Sequence, residues 1–288
     1  MSNIINGKEV AKEIKDLLKQ EVFKIKEKGI RPKLAVIMVG NDAASKVYVK
    51  NKSNACEYVG IEFEEYILEE TINIEELIDL IKKLNNDKTI HGILLQAPIP
   101  KNLDINLAFE AIAPEKDVDG FNPINAGKLA IGQDGFIPCT PYGIVKMIEK
   151  YNIEIEGKNV VILGRSNIVG KPLIQCMLEK NATVTVCHSR TKNLKEITEN
   201  ADIIISAIGK PKFVTEDMVK KEAVVIDVGI NRTNEGKIVG DVDFENVEAK
   251  TSYITPVPGG VGPMTIAMLM NNVIKATKRI ENIKWKEL

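Results

Sequence analysis

Residues 159–172, Asn-Val-Val-Ile-Leu-Gly-Arg-Ser-Asn-Ile-Val-Gly-Lys-Pro, constrain the fold more than any other stretch of the chain. The apolar run Val160 to Leu163 has the composition of a strand buried on both faces, and Gly164 breaks it before a helix-compatible segment. A strand that turns sharply into a helix aims the helix's unbonded N–H groups at whatever lies above the strand's end. That is an anion site suited to a pyrophosphate. The spacing departs from G-x-G-x-x-G, which would place glycines at 164, 166 and 169, whereas the chain has Gly164, Ser166 and Gly170. On pattern alone, a tight strand–helix turn without a ligand stays open beside the phosphate site.

The next strand-like segment, Ala182 to Cys187, ends in His188-Ser189-Arg190. A dinucleotide fold places the adenosine ribose at this strand end, where a carboxylate would bind a free 2′-hydroxyl. Here the acid is missing, Ser189 and Arg190 occupy the stretch, and Arg165 in the first turn is within reach of the same corner. Arginine and hydroxyl groups suit a 2′-phosphate that a carboxylate would repel, so the chemistry favours NADP over NAD. A solvated loop charge is the alternative for Arg190.

A chain of 288 residues has room for two domains, and a net charge of −1 gives no global field for nucleic acid or an anionic membrane. The opening MSNIINGKEVAKEI has no apolar signal core, and no apolar run approaches the length of a membrane span. Cys56, Cys139, Cys176 and Cys187 are scattered and form no C-x-x-C pair, and His91 and His188 stand far apart. No metal centre or disulfide framework is expected, and a cytoplasmic location is.

Helix-period and strand-like segments alternate along the first half. Val10, Ile14, Leu17, Leu18, Val22 and Ile25 make one stripe over Lys8–Glu27. Strands are expected at Leu34–Val39, Ile61–Leu68 and Ile90–Leu95, and a helix from about Ala43 to Val59. Asn73 with Glu76 has the pattern of a capping box. The expectation is an α/β unit on a parallel sheet. Pro114 to Pro141 reads as a loop-like connection that can carry site residues. Dinucleotide-type strands follow at Val160–Leu163, Thr183–Cys187, Ile203–Ile208 and Val224–Val228. A fifth, Tyr253–Val257, leads to Pro-Gly-Gly-Val-Gly-Pro, and Pro263 opens an apolar helix from Met264 to Ile280.

Tyr48 and Lys52 lie four apart on the expected helix and share a face, with Ser45 one turn earlier. Such a pair can do proton chemistry in two ways: the ammonium lowers the phenol's pKa, or a desolvated lysine itself exchanges a proton near neutral pH. On spacing alone, an exposed lysine on a solvated helix face is the better reading. Gln96 lies just past a parallel strand's C-terminal end, where open α/β sheets bind ligands, and a capped strand end is an equal alternative for it. Asp117 and Asp119 lie in Glu-Lys-Asp-Val-Asp-Gly, with a turn-forming role the better reading for Asp117. The loop Pro256–Pro263 puts three glycines between prolines, a backbone that lets a planar ligand approach closely.

The segments YVKNK (48–52), GILLQAPIP (92–100), PEKDVDGFNPINAGKL (114–129), PCTPYG (138–143), GRSNIVGKP (164–172) and TPVPGGVGPMT (255–265) together resemble the bifunctional methylenetetrahydrofolate dehydrogenase/methenyltetrahydrofolate cyclohydrolase family. The resemblance runs through nearly the whole chain in the family's order. It implies an N-terminal α/β catalytic domain with a parallel sheet, a Rossmann-type NADP-binding domain and a folate cleft between them. The expected bounds are 1–138 with 265–288 for the first and 139–264 for the second. It implies oxidation of 5,10-methylenetetrahydrofolate by hydride transfer to NADP, hydrolysis of the methenyl product to 10-formyltetrahydrofolate, folate substrates that include polyglutamylated forms, and a homodimer. By position, Lys52 matches the cyclohydrolase lysine, Tyr48 the tyrosine along the folate and Gln96 the glutamine that tunes the lysine. Asp119 matches the acid at the pterin edge, and Pro258, Gly259 and Gly260 the loop beside pterin and nicotinamide. Gly164, Arg165, Ser166, Ser189, Arg190 and Ile230 are the matching cofactor contacts. Ala97 and Asn122 depart from the family's more frequent leucine and histidine. A shikimate-type dehydrogenase is the nearest rival and would need neither Gln96 nor the Gly-Gly-Val-Gly loop; a binding protein without turnover would not need Tyr48, Lys52 and Gln96 together.

Overall fold

Local sequence chemistry sets most element ends. The structure, a computed structural model, describes residues 2–233 and 235–284. The first half of the chain runs β1 (Asn3–Ile4), α1 (Gly7–Glu27), β2 (Lys33–Val39), α2 (Ala43–Val59), β3 (Glu62–Leu68), α3 (Ile74–Asn86), β4 (Gly92–Leu95), α4 (Ile105–Ala111) and α5 (Pro123–Ala130). The second half runs α6 (Cys139–Lys150), β5 (Asn159–Leu163), α7 (Gly170–Glu179), β6 (Thr183–Cys187), α8 (Leu194–Thr198), β7 (Ile203–Ser206), β8 (Val224–Asp227), β9 (Asn231–Arg232), β10 (Ile238–Val239), α9 (Phe244–Val247), β11 (Tyr253–Ile254) and α10 (Val261–Ile280). The capping box at α3 forms: Glu76 N–H donates to Asn73 Oδ1 at 2.9 Å and Asn73 N–H to Glu76 Oε2 at 3.0 Å. Asp42 caps α2 through the Ser45 N–H at 2.7 Å, and Gly60 closes that helix in the left-handed conformation. Among the described residues, no helix is long and apolar enough to cross a membrane.

The chain divides into two units. One comprises Lys12–Cys139 and Ile266–Leu288. Its sheet is parallel with order β3-β2-β4, extended by a bridge between Ile93 and Asp117. Ala35, Ile37 and Val39 of β2 pack with Leu77, Ile81 and Leu84 of α3. In α1 the apolar stripe is narrower than its sequence implies: Val10, Leu18, Val22 and Ile25 are buried, but Leu17 is half exposed. Lys116, itself buried, donates to the carbonyls of Leu84, Asn85 and Asp87 and so ends α3.

The other unit comprises Met1–Ala11 and Thr140–Thr265. Its six strands are all parallel in the order β1-β11-β8-β7-β5-β6. The chain leaves β5 for β6 on one side and returns to β7 on the other, so the topological switch lies at β5, where such sheets bind ligands. Val161, Leu163, Ile204 and Val225 lie in the core of this unit.

Several expectations are corrected. Residues 1–11 fall with the six-stranded unit and not with 12–138, because β1 pairs with β11 through Asn3–Tyr253 and Ile4–Ile254. The Pro114–Pro141 segment is not wholly loop: Pro123 opens α5 behind the Asn122 cap, and α6 begins at Cys139. The last long helix begins at Val261, two residues before Pro263, which a first turn tolerates because its N–H groups have no helical acceptor. β7 ends at Ser206, short of Ile208, and β11 pairs only over Tyr253–Ile254.

Candidate functional site

In the unit built on β2, α2 carries Tyr48 and Lys52 away from the end of β2, and Gln96 follows β4. Gln96 N–H donates to Ile37 O at 2.8 Å, which ties the strand end to the sheet. Lys52 Nζ donates to Gln96 Oε1 at 2.9 Å, and Gln96 Nε2 donates to Ala97 O at 2.6 Å. The second bond fixes the amide's orientation and leaves its carbonyl for the lysine. Burial pushes the Lys52 pKa below the ordinary lysine value, opposed by the negative charge of Asp119. The Asp119 carboxyl is raised, first by burial, with Lys52 pulling the other way. The Cys139 thiol donates to Val118 O at 3.4 Å, and burial with the nearby charge of Asp119 holds its pKa well above the usual thiol range. Of the two proton-transfer routes open to a Tyr/Lys pair, the desolvated lysine is the one this geometry supports. Tyr48 is 41% exposed on the same helix.

Asp117 does another job. It is 1% exposed and accepts from the N–H groups of Gly120, Phe121 and Asn122 and from Asn125 Nδ2. These bonds fold the turn on which Asp119 sits. Burial raises the Asp117 pKa to about 6 despite those donors. Asn122 is buried, and its amide donates to the carbonyls of Glu110 and Ile112, so it anchors the end of α4.

In the six-stranded unit, a cavity of about 500 Å³ opens at the C-terminal ends of β5, β6 and β7. Gly164, Arg165, Ser166 and Ser189 all line it, together with His188 and Lys210. No carboxylate is among its lining residues. The lining does not include Arg190, whose N–H donates to His188 Nδ1 at 3.1 Å, or Ile230, which is 48% exposed near Gly262. The two glycines of the first turn have distinct reasons. A side chain at Gly164 would come 2.4 Å from Ala207 O, and one at Gly170 would come 2.4 Å from Gly164 O. They let β7's exit and the start of α7 close on the turn, which are the tight-turn and close-packing roles in a dinucleotide fingerprint. Ser166 Oγ accepts from the N–H groups of Val169 and Gly170, so it satisfies donors at the start of α7.

The Gly-rich loop after β11 belongs to the same unit. Gly259 has φ +109 and its carbonyl accepts from Lys8 N–H at 3.0 Å. A side chain on Gly7 would strike Gly260 O at 1.9 Å, so this turn requires glycine. Pro258, Gly259 and Gly260 therefore stand on a backbone held by the first residues of α1. Sequence reasoning missed two buried carboxylates at the ends of this sheet, Asp227 and Asp241. Their only signal was the pairing of each with a glycine, in Asp227-Val-Gly229 and Gly240-Asp241. Among the described residues there is no cluster of three or more His, Cys, Asp or Glu placed to hold a metal ion.

Comparison with known proteins finds matches along nearly the whole chain. The profile of the tetrahydrofolate dehydrogenase/cyclohydrolase catalytic domain matches residues 5–119, and that of the NAD(P)-binding domain matches residues 138–281. Bifunctional protein FolD of Agathobacter rectalis is 58% identical over 279 residues, covering 97% of this chain and 100% of that protein. The crystal structure of the bifunctional FolD enzyme of Campylobacter jejuni superposes with a TM-score of 0.96 at 51% identity, over 97% of this chain and 99% of that one. The Trypanosoma brucei methylenetetrahydrofolate dehydrogenase-cyclohydrolase, complexed with NADP cofactor and inhibitor, gives a TM-score of 0.92 at 36% identity, over 96% and 98% of the two chains.

Proposed function

The chain belongs to the tetrahydrofolate dehydrogenase/cyclohydrolase family, and we propose that it oxidises 5,10-methylenetetrahydrofolate with NADP and hydrolyses the methenyl product to 10-formyltetrahydrofolate. The observation that carries this reading is the Lys52–Gln96 contact at 2.9 Å beside Asp119, with the lysine held below its ordinary pKa. A lysine in that state offers a neutral amine at a pH where solvated lysines do not.

Methenyl hydrolysis adds water to the methenyl carbon and releases one proton overall. Lys52 takes the proton as water attacks, and Gln96 Oε1 holds the Nζ in place while leaving its lone pair free. Asp119 accepts hydrogen bonds from the donor edge of the pterin and keeps the nearby lysine's charge balanced. Tyr48 lies along the folate. The oxidation asks only for positioning, since the folate nitrogens stabilise the cation that forms. When bound, NADP supplies the hydride acceptor.

The cavity over Gly164 fits that cofactor. It has a glycine-lined backbone turn and a lining that carries Arg165, Lys210 and Ser189 with no acid to repel a 2′-phosphate. Gly164 and Ser166 form the turn for the pyrophosphate, Arg165 and Ser189 take the 2′-phosphate with Arg190 alongside, and Ile230 packs on the nicotinamide half. We assign folate binding to the unit with Lys52, NADP binding to the unit with Gly164, a homodimeric state and a cytoplasmic location on the same reading. The test is to supply methylenetetrahydrofolate with NADP or NAD and to follow reduced cofactor together with methenyl appearance and decay. Reduction of NADP followed by enzyme-dependent methenyl decay is the expected result. An enzyme that reduces NADP but leaves methenyl decay at its spontaneous rate contradicts the second half.

A further inference from the structure

Two carboxylates at the end of the six-stranded sheet take no part in the reactions above, yet they are the most heavily bonded side chains of that unit. Asp227 ends β8 and is 3% exposed; Asp241 lies two residues past β10 and is 0% exposed. The β9–β10 hairpin, with Asn231 opposite Val239, brings them together. Asp227 Oδ1 accepts from the N–H groups of Gly229 and Asp241, each at 2.9 Å, and its Oδ2 from Val242 N–H at 2.9 Å. Asp241 accepts from five donors. Its Oδ2 takes Ser206 Oγ at 3.2 Å, Ile208 N–H at 2.8 Å and Gly209 N–H at 3.2 Å. Its Oδ1 takes Lys210 N–H at 2.9 Å and Asn231 Nδ2 at 3.0 Å. The interlock demands glycine on both sides: a side chain at Gly229 would lie 2.2 Å from Asp241 Oδ1, and one at Gly240 would lie 1.8 Å from Asp227 Oδ2.

What Asp241 holds is the wall of the cofactor cavity. Three successive N–H groups, at Ile208, Gly209 and Lys210, converge on one carboxylate just where the chain leaves β7. Ile208 and Lys210 line that cavity with Ala207, whose carbonyl stands where a side chain on Gly164 would be. The fifth donor, Asn231, directly follows Ile230. Asp227 adds a link to a third segment: its N–H donates to Thr255 Oγ1 at 2.7 Å, at the root of the Pro256–Pro263 loop. A carboxylate satisfied by charge-assisted bonds from several loops fixes them in one arrangement before any ligand arrives.

We propose that Asp241 is a positioning residue of the cofactor site, holding Ile208–Lys210 and Asn231 in the arrangement that NADP requires and thereby serving the dehydrogenase and not the cyclohydrolase. This rests on the assignment of NADP to the cavity over Gly164. Asp241→Asn keeps the size of the side chain but turns an amide NH₂ against backbone donors. With the full chain, NADP dissociation constants, dehydrogenase rates and methenyl hydrolysis rates are measured on the same preparations. The expected result is an NADP dissociation constant raised by about tenfold or more, with dehydrogenase kcat/KM falling in step and methenyl hydrolysis within about twofold of wild type. Asn231→Ala removes one donor and should raise the dissociation constant by about threefold, which keeps the test alive if Asp241→Asn does not fold. A wild type that binds NADP beside an Asp241→Asn protein that binds it equally well overturns the positioning role. So does an equal loss of both activities, or an Asn231→Ala protein with unchanged NADP affinity. A wild type that does not bind NADP overturns the cofactor assignment instead, and this role with it.

Discussion

The two units solve opposite electrostatic problems. Around Lys52 the structure withdraws charges from water and pairs them, with Gln96, Asp119 and Cys139 gathered at one lysine whose pKa falls through burial. Around Gly164 it leaves cations and a hydroxyl exposed: Arg165, Arg190 and Ser189 are all open to solvent, and the buried polar work is done behind them by Asp227 and Asp241. Proton transfer needs a shifted pKa, which exposure would cancel. A dinucleotide that must arrive and leave needs accessible cations on a backbone that does not move.

The largest expected break between the two regions is Lys52→Met. Removing a positioned acid/base costs ~10²–10⁴-fold in the step it serves. Methenyl hydrolysis should fall by that order while NADP-dependent oxidation stays measurable, so methenyltetrahydrofolate accumulates. Survival of both activities would make Lys52 a mere helix charge; methenyl absorbance, corrected for spontaneous decay, decides. Asp119→Asn should be smaller and less selective. It swaps a charged acceptor for an amide with donors of its own, and both activities should drop by roughly tenfold to a hundredfold through weaker folate binding, with NADP affinity unchanged. Normal folate KM in that variant would remove Asp119 from the substrate site.

Most of this division was legible in the sequence because its signals are local. The capping box at Asn73, the apolar run into Gly164 and the helical spacing of Tyr48 and Lys52 each lie within a few residues. What was hidden depends on residues far apart in the chain. Asp241 meets Ser206 across 35 positions, and β1 meets β11 through Asn3 and Tyr253, far apart in the chain, so neither leaves a periodic trace. The helix α5 was hidden for another reason. Its sequence, Pro-Ile-Asn-Ala-Gly-Lys-Leu-Ala, is rich in turn formers, and only the Asn122 cap and the burial of Asn125 and Leu129 secure it.

Arg165→Ala sharpens the comparison from the cofactor side. An exposed arginine on a phosphate is worth about tenfold in affinity, so kcat/KM with NADP should fall by about that factor, with little change for NAD and none for methenyl hydrolysis. Equal losses with both cofactors would contradict a 2′-phosphate role.

The smallest effect concerns stability against pH. Asp117 and Asp227 have pKa values raised by burial to about 6, so the folded state binds more protons than the unfolded state; their contribution is present at low pH and lost as pH rises through about 6. His91, nearly buried and lowered by burial, acts in reverse: the unfolded state binds its proton more readily, and stability is lost as pH falls below the ordinary histidine value. Wild-type urea midpoints should therefore change little between about pH 7 and 5.5, whereas His91→Gln should gain stability as the pH falls. A variant whose midpoint drops with pH as steeply as any acid-denatured protein's would contradict that balance.

The most direct test of the contrast is the pH dependence of methenyl hydrolysis, corrected for the spontaneous rate, alongside NADP affinity over the same range. A desolvated lysine paired with Gln96 predicts an inflection in kcat/KM below the ordinary lysine range, absent in Lys52→Met, with no matching inflection in NADP binding. An inflection that persists in Lys52→Met, or that appears equally in NADP binding, would contradict it.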